Sequence, residues 1–196
     1  MQSVPFYIFL FIHLVSLVVG FGAVLTTDFF GLLWVLAYKR VPFTLLMDTT
    51  HITQKLIWLG WFGLVCSGIG LLYLKGYVDN LTKVKLFFVL LVGLNGIYLH
   101  FINKAFEKLK NIEAKNIPLL LKFRITLGSF TSQLGWWGAL FIGFIHRHIQ
   151  HSFAWPANPY PYIIAIAGVL LIIAVVGETT LRKRQKQGYS KAVVQT

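Results

Sequence analysis

Long apolar runs separated by short basic stretches organise this chain. The runs lie near residues 5–37, 54–74, 84–103, 125–147 and 160–181. Each holds about 20 or more mostly apolar residues, the length a helix needs to cross the ~30 Å hydrocarbon core of a bilayer. They are continuous rather than alternating, so they predict helices and not the short strands of a membrane barrel. The expectation is an all-α, polytopic transmembrane bundle of about five helices. The stretch Trp155-Pro156-Ala157-Asn158-Pro159-Tyr160-Pro161 cannot be helical and reads as a turn-rich loop before the last helix. No long internal repeat is evident.

Composition agrees with the runs. Of 196 residues, 57% are hydrophobic and 12% charged, and the mean hydropathy is +0.71. A soluble domain carries about 25% charged residues, so this chain has too little polar surface to wrap a water-facing globule. The net charge is +12, yet the basic residues sit between apolar runs instead of forming one patch. A lipid bilayer is therefore the expected partner, and nucleic acid is not.

The same charges predict topology. One side holds Lys39, Arg40, Lys55, Lys104, Lys108, Lys110, Lys115, Lys122, Arg124, Arg182, Lys183, Arg184, Lys186 and Lys191. The other holds Lys75, Lys83, Lys85 and Arg147. Fourteen against four puts the N-terminus outside and the C-terminus in the cytoplasm. Trp155, Tyr160 and Tyr162 fit an aromatic belt at the outer interface. The first run lacks the basic region of a cleaved signal peptide and is too long for one, so it reads as a retained helix. The expected organisation is one transmembrane domain over 1–182 and a basic, disordered cytoplasmic tail over 183–196 near anionic lipid. Cys66 is the one cysteine, which excludes an intrachain disulfide and a cysteine-based metal cluster.

Small residues at helical spacing mark faces that look into a bundle, because they let backbones approach closely in lipid. The first helix shows His13, Ser16, Gly20, Ala23 and Thr27. The second shows Gly60, Gly63, Ser67 and Gly70, and the third Gly93, Gly96 and His100. The fourth shows Gly128, Ser132, Gly135, Ala139 and His146. The fifth carries only Gly168 and Gly177 and reads as a lipid-facing addition to a four-helix core.

Three histidines share these faces, and ionisable groups inside a membrane mark function by default. His13 and His146 fall near the outer edge at similar depth, 26 residues from Lys39 and 22 from Arg124. Neutral imidazole ligates iron, zinc and copper, and two histidines on facing helices are a usual way to hold a heme. His13 and His146 are therefore the expected axial ligands of a b-type heme, or ligands of another metal, with packing alone as the plain alternative. His100 lies on the cytoplasmic half and is a further cofactor candidate. Asp28 lies ~60° from the His13 stripe at 100° per residue. With His100 it could form a proton path, or with Thr26 and Thr27 it could cap a kink. His51, His148 and His151 read as surface histidines, and Glu178 as an interface charge. The cluster His146-Arg147-His148-Ile149-Gln150-His151 matches no specific zinc spacing. Phosphate loops, nucleophile elbows, HExxH and paired carboxylates are absent from the sequence.

Short motifs resemble a loose superfamily that includes membrane-bound heme-containing protoporphyrinogen oxidases and copper-resistance D-type proteins. They are Phe11-Ile12-His13-Leu14 followed by Gly20-Phe21-Gly22, then Cys66-Ser67-Gly68, then Val84-Lys85-Leu86-Phe87-Phe88-Val89. The resemblance spans the first four helices, roughly 8–145, and implies a bacterial inner-membrane bundle with His13 as a heme ligand. It departs where the oxidases have a mid-helix histidine and this chain has Asn95-Gly96, with His100 one turn later. It departs again where they open the fourth helix with an acidic, proline-containing signature and this chain reads Phe123-Arg124-Ile125-Thr126-Leu127-Gly128. The expected functions are electron transfer or heme handling with a redox partner, then transport or proton conduction through Asp28 and His100. A third is a scaffold subunit that joins a larger complex or a second copy of itself.

Overall fold

The computed structural model describes residues 3–36, 43–107, 117–148 and 158–194. Side chains are described for all of these except 34–36, 43–47, 106–107, 146–148 and 186–194. The chain is all helical in this range: α1 (Val4–Leu36), α2 (Phe43–Lys75), α3 (Asn80–Glu107), α4 (Leu119–His148) and α5 (Tyr160–Val194). Three helices outrun their expected ends by more than five residues, α4 by starting at Leu119 instead of near 125. α2 begins at Phe43 instead of near 54, taking in Asp48 and His51, and α5 continues through the basic segment to Val194.

Local chemistry sets the connections. Gly76, at φ +77°, ends α2 in the left-handed conformation that favours glycine. Three residues later the Asp79 carboxylate accepts the Thr82 N–H at 2.8 Å, an N-cap that starts α3. α5 opens with Pro159 before it and Pro161 in its first turn, where a missing N–H costs nothing.

Four of the helices, all but α4, are long and apolar enough to cross a membrane. α4 falls below that measure because Gly, Trp, Ser, Thr and Gln133 dilute its apolar residues. It nevertheless runs antiparallel along α3, from Gly128 beside Leu99 to Gly138 beside Phe88, and so crosses with it. Aliphatic and aromatic side chains point outward on all five helices, as lipid and not water requires. The protein is a multi-pass membrane protein with a four-helix core and a peripheral α5.

Within the core, α1 packs most closely on α2, and α3 on α4. A methyl group at Gly60 would fall on the Gly20 backbone, so this approach requires glycine. The two pairs obey one pattern. Moving α1 by 72 residues and α2 by 75 turns contacts of the first pair into contacts of the second. Ser16 against Gly63 becomes Phe88 against Gly138, and Gly20 against Gly60 becomes Val92 against Gly135. Thr27 against Thr53 becomes Leu99 against Gly128. One short motif survives in the sequence: Leu59-Gly60-Trp61-Phe62-Gly63 and Leu134-Gly135-Trp136-Trp137-Gly138. The chain thus contains an internal repeat of two helical hairpins, related by an approximate twofold axis along the bundle. It escapes a direct reading because contact positions are kept while side chains differ.

Candidate functional site

The two hairpins meet along a seam, and the seam gathers the ionisable groups of the core. Its middle is apolar. Val24, Leu64, Val92 and Trp136 are buried there, with Trp61 packed against them. The equivalent tryptophans bracket the axis: Trp61 fills the space left by Gly93, and Trp136 the space left by Gly20. Trp61 Nε1 donates to the Val89 carbonyl at 2.9 Å. Trp136 Nε1 is buried without a hydrogen-bond partner among the described residues.

At the end nearer the α1 N-terminus, His13 is buried. Its Nδ1 lies 3.0 Å from Ser67 Oγ, and its Nε2 lies 3.1 Å from Lys85 Nζ. The tautomer follows from the partners. Ser67 spends its proton on the Gly63 carbonyl at 2.5 Å, so its oxygen accepts from Nδ1–H. Nε2 is then the acceptor for a Lys85 N–H. Lys85 is the +72 equivalent of His13, so the contact joins a position to its own counterpart, as a contact on a twofold axis must.

At the other end, Asp28 reaches from α1 to α4. Its Oδ1 accepts from Ser129 Oγ at 2.7 Å, and its Oδ2 from Gln133 Nε2 at 2.5 Å. The equivalent contact is present: His100 Nδ1 lies 3.0 Å from Gln54 Nε2, reaching from α3 to α2. Asp28 and His100 are thus matched positions on opposite hairpins, and no direct bond between them is present among the described residues. Fifteen residues separate His13 from Asp28, about 22 Å of helix. Asp28 bonds across to α4 and caps no helix end, since α1 continues to Leu36. The Thr26 and Thr27 hydroxyls bond back to the Gly22 and Ala23 carbonyls.

His146 falls within α4, but its side chain lies outside the described residues, as do those of Arg147 and His148. His151 lies outside them altogether, and His51 is exposed. In the arrangement described, neither ring nitrogen of His13 is free to ligate iron, so His13 does not fit axial ligation without first losing Lys85 or Ser67. Among the described residues no group of three or more His, Cys, Asp or Glu is placed to hold a metal ion. Glu178 is more than an interface charge. It pairs with Arg124 and with Arg182, and so ties α5 to α4. Lys85, Ser129, Gln133 and Gln54 belong to the site although no expectation included them. Their signal was a lysine and glutamines inside apolar runs, which membranes tolerate only with partners.

Comparison with family models, curated proteins and solved structures finds no match.

Proposed function

We propose that this protein is a small transporter of protons or a small cation, with the seam between its two hairpins as the moving interface. The observation that supports this is the placement of Asp28. A carboxylate inside the bundle accepts hydrogen bonds from two neutral donors, Ser129 and Gln133, that sit on the opposite hairpin. Such a group is costly to keep in a membrane unless something neutralises it. A proton or cation does so. A proton on Oδ2 turns that acceptor into a donor, which cannot pair with the Gln133 N–H it faces. Neutralising Asp28 therefore loosens the link between α1 and α4 and frees one hairpin to rock against the other, a motion common to transporters built from repeats. His100 on Gln54 is the matched link on the other hairpin. The apolar tryptophan layer separates this end from the His13 end and closes the path in the conformation described.

By its basic loops, the orientation in this reading is N-terminus outside and C-terminus cytoplasmic in a bacterial inner membrane. Purified protein in liposomes should dissipate an imposed proton or sodium gradient faster than empty liposomes. Rates equal to those of empty liposomes for both ions would remove the reading. An absorption spectrum separates it from the b-type heme alternative, with His13 and His146 as axial ligands and electron transfer or heme handling as the task. A Soret band in protein that moves neither ion would favour heme.

A further inference from the structure

We propose that the outer end of the seam is a binding site for a small anion bearing a carboxylate or phosphate group, with Lys85 as its charge partner. The inference goes beyond the transport reading and stands on a different end of the molecule.

Lysines near this end have distinct partners. Lys75 pairs with Asp79 at 2.8 Å. Lys83 reaches Asn80 Oδ1 at 3.3 Å and stands over the Tyr160 ring. Lys85 instead turns into the seam, where its partner among the described residues is the imidazole of His13. A neutral imidazole takes one of its three N–H groups and none of its charge. Inside a low-dielectric bundle an ammonium without a counter-ion is expensive, and a bound anion supplies the missing charge and two charge-assisted hydrogen bonds.

The repeat leaves a glycine against each member of the polar pair. A methyl group at Gly68 would come 3.7 Å from the His13 ring, and one at the equivalent Gly143 would come 3.7 Å from Lys85 Nζ. Glycine is thus kept at the one place on each hairpin that flanks the polar pair, although neither glycine is needed for a backbone contact. The ligand would lie beside the His13–Lys85 contact, within reach of both hairpins. The shared chemistry is a compact anionic head, from a soluble carboxylate, from free phosphate or from a lipid headgroup.

The test is thermal unfolding of the full-length protein in detergent, followed by tryptophan fluorescence. Sodium acetate, inorganic phosphate and dihexanoyl phosphatidic acid are titrated separately, with ionic strength held by sodium chloride. A saturable rise in Tm with at least one probe is expected. Half-saturation should weaken at least tenfold in Lys85→Gln and stay unchanged in Lys83→Gln. A rise with the lipid alone, lost in Lys85→Gln, supports the site and names the headgroup as the source. If Lys85→Gln does not fold, Gly143→Val fills the space beside the ammonium and keeps the charge; it too should weaken half-saturation at least tenfold. The proposal is overturned by no saturable rise with any probe, or by wild-type half-saturation in the variant that folds. The readout needs no flux, so its failure leaves the transport reading to its own test.

Discussion

The two hairpins share a packing plan and differ in chemistry, and the differences are concentrated on the axis. Where α1–α2 uses Ser16, Gly20 and Thr27 for close approach, α3–α4 uses Phe88, Val92 and Leu99 against three glycines. These swaps keep a small residue on at least one side and so keep the helix spacing. Along the seam the swaps change charge instead. His13 faces Lys85, and Asp28 has His100 as its counterpart. A structural repeat alone would have no reason to hold four ionisable groups of three kinds at two matched positions inside a membrane. The comparison teaches that packing is duplicated and chemistry is divided between the halves.

The largest break in this comparison should come from packing in the first hairpin. Gly60→Leu drives a side chain into the Gly20 backbone, and should cost about 3 kcal/mol or prevent folding. In the matched contact of the second hairpin, buried Val92 meets Gly135, so Val92→Ala should cost about 2 kcal/mol and still fold. Denaturation in mixed micelles orders the two, and equal losses would argue against the repeat.

Next in size is the division of labour at the Asp28–His100 end. His100→Gln keeps a hydrogen-bonding side chain opposite Gln54, and should slow transport several-fold without abolishing it. The assay is initial flux rate in liposomes. A null effect would confine the chemistry to Asp28.

Smaller still is the tie to α5, which has no counterpart in the repeat. Arg124 and Glu178 are each about a quarter exposed, which limits the worth of their pairing. A double-mutant cycle with Arg124→Gln and Glu178→Gln should give a coupling of about 1 kcal/mol or less. Flux through the core should be little changed.

The smallest effect separates the paired tryptophans. Trp61 Nε1 donates to Val89, and Trp136 Nε1 has no partner among the described residues. The indole proton of Trp61 should therefore resonate downfield of that of Trp136 in a proton–nitrogen correlation spectrum assigned with Trp→Phe variants. The reverse order would show that the two halves are more alike than described.

The spans were legible because continuous apolar runs leave the chain few alternatives in a bilayer. Asp28 and His100 were legible for the same reason, since an ionisable group in such a run needs an explanation. Their partners were not. Ser129, Gln133 and Gln54 acquire meaning only when helix register is known, and serine and glutamine alone carry little charge signal. By position alone Lys85 reads as a loop charge, because near a helix end a lysine can equally snorkel to the interface. The start of α2 escapes the apolar pattern because Asp48, Thr49, Thr50 and His51 interrupt it without breaking the helix. The repeat was hidden by its two offsets, 72 and 75, and by having only Leu-Gly-Trp-x-Gly in common.

The most direct test of the account is proton and sodium flux in liposomes containing Asp28→Asn, compared with wild type and with Asp48→Asn. Asp48 lies exposed near the start of α2 and controls for the loss of any carboxylate. The account predicts an initial rate at least tenfold below wild type for Asp28→Asn, in folded protein, and an unchanged rate for Asp48→Asn. Wild-type flux in Asp28→Asn would contradict it.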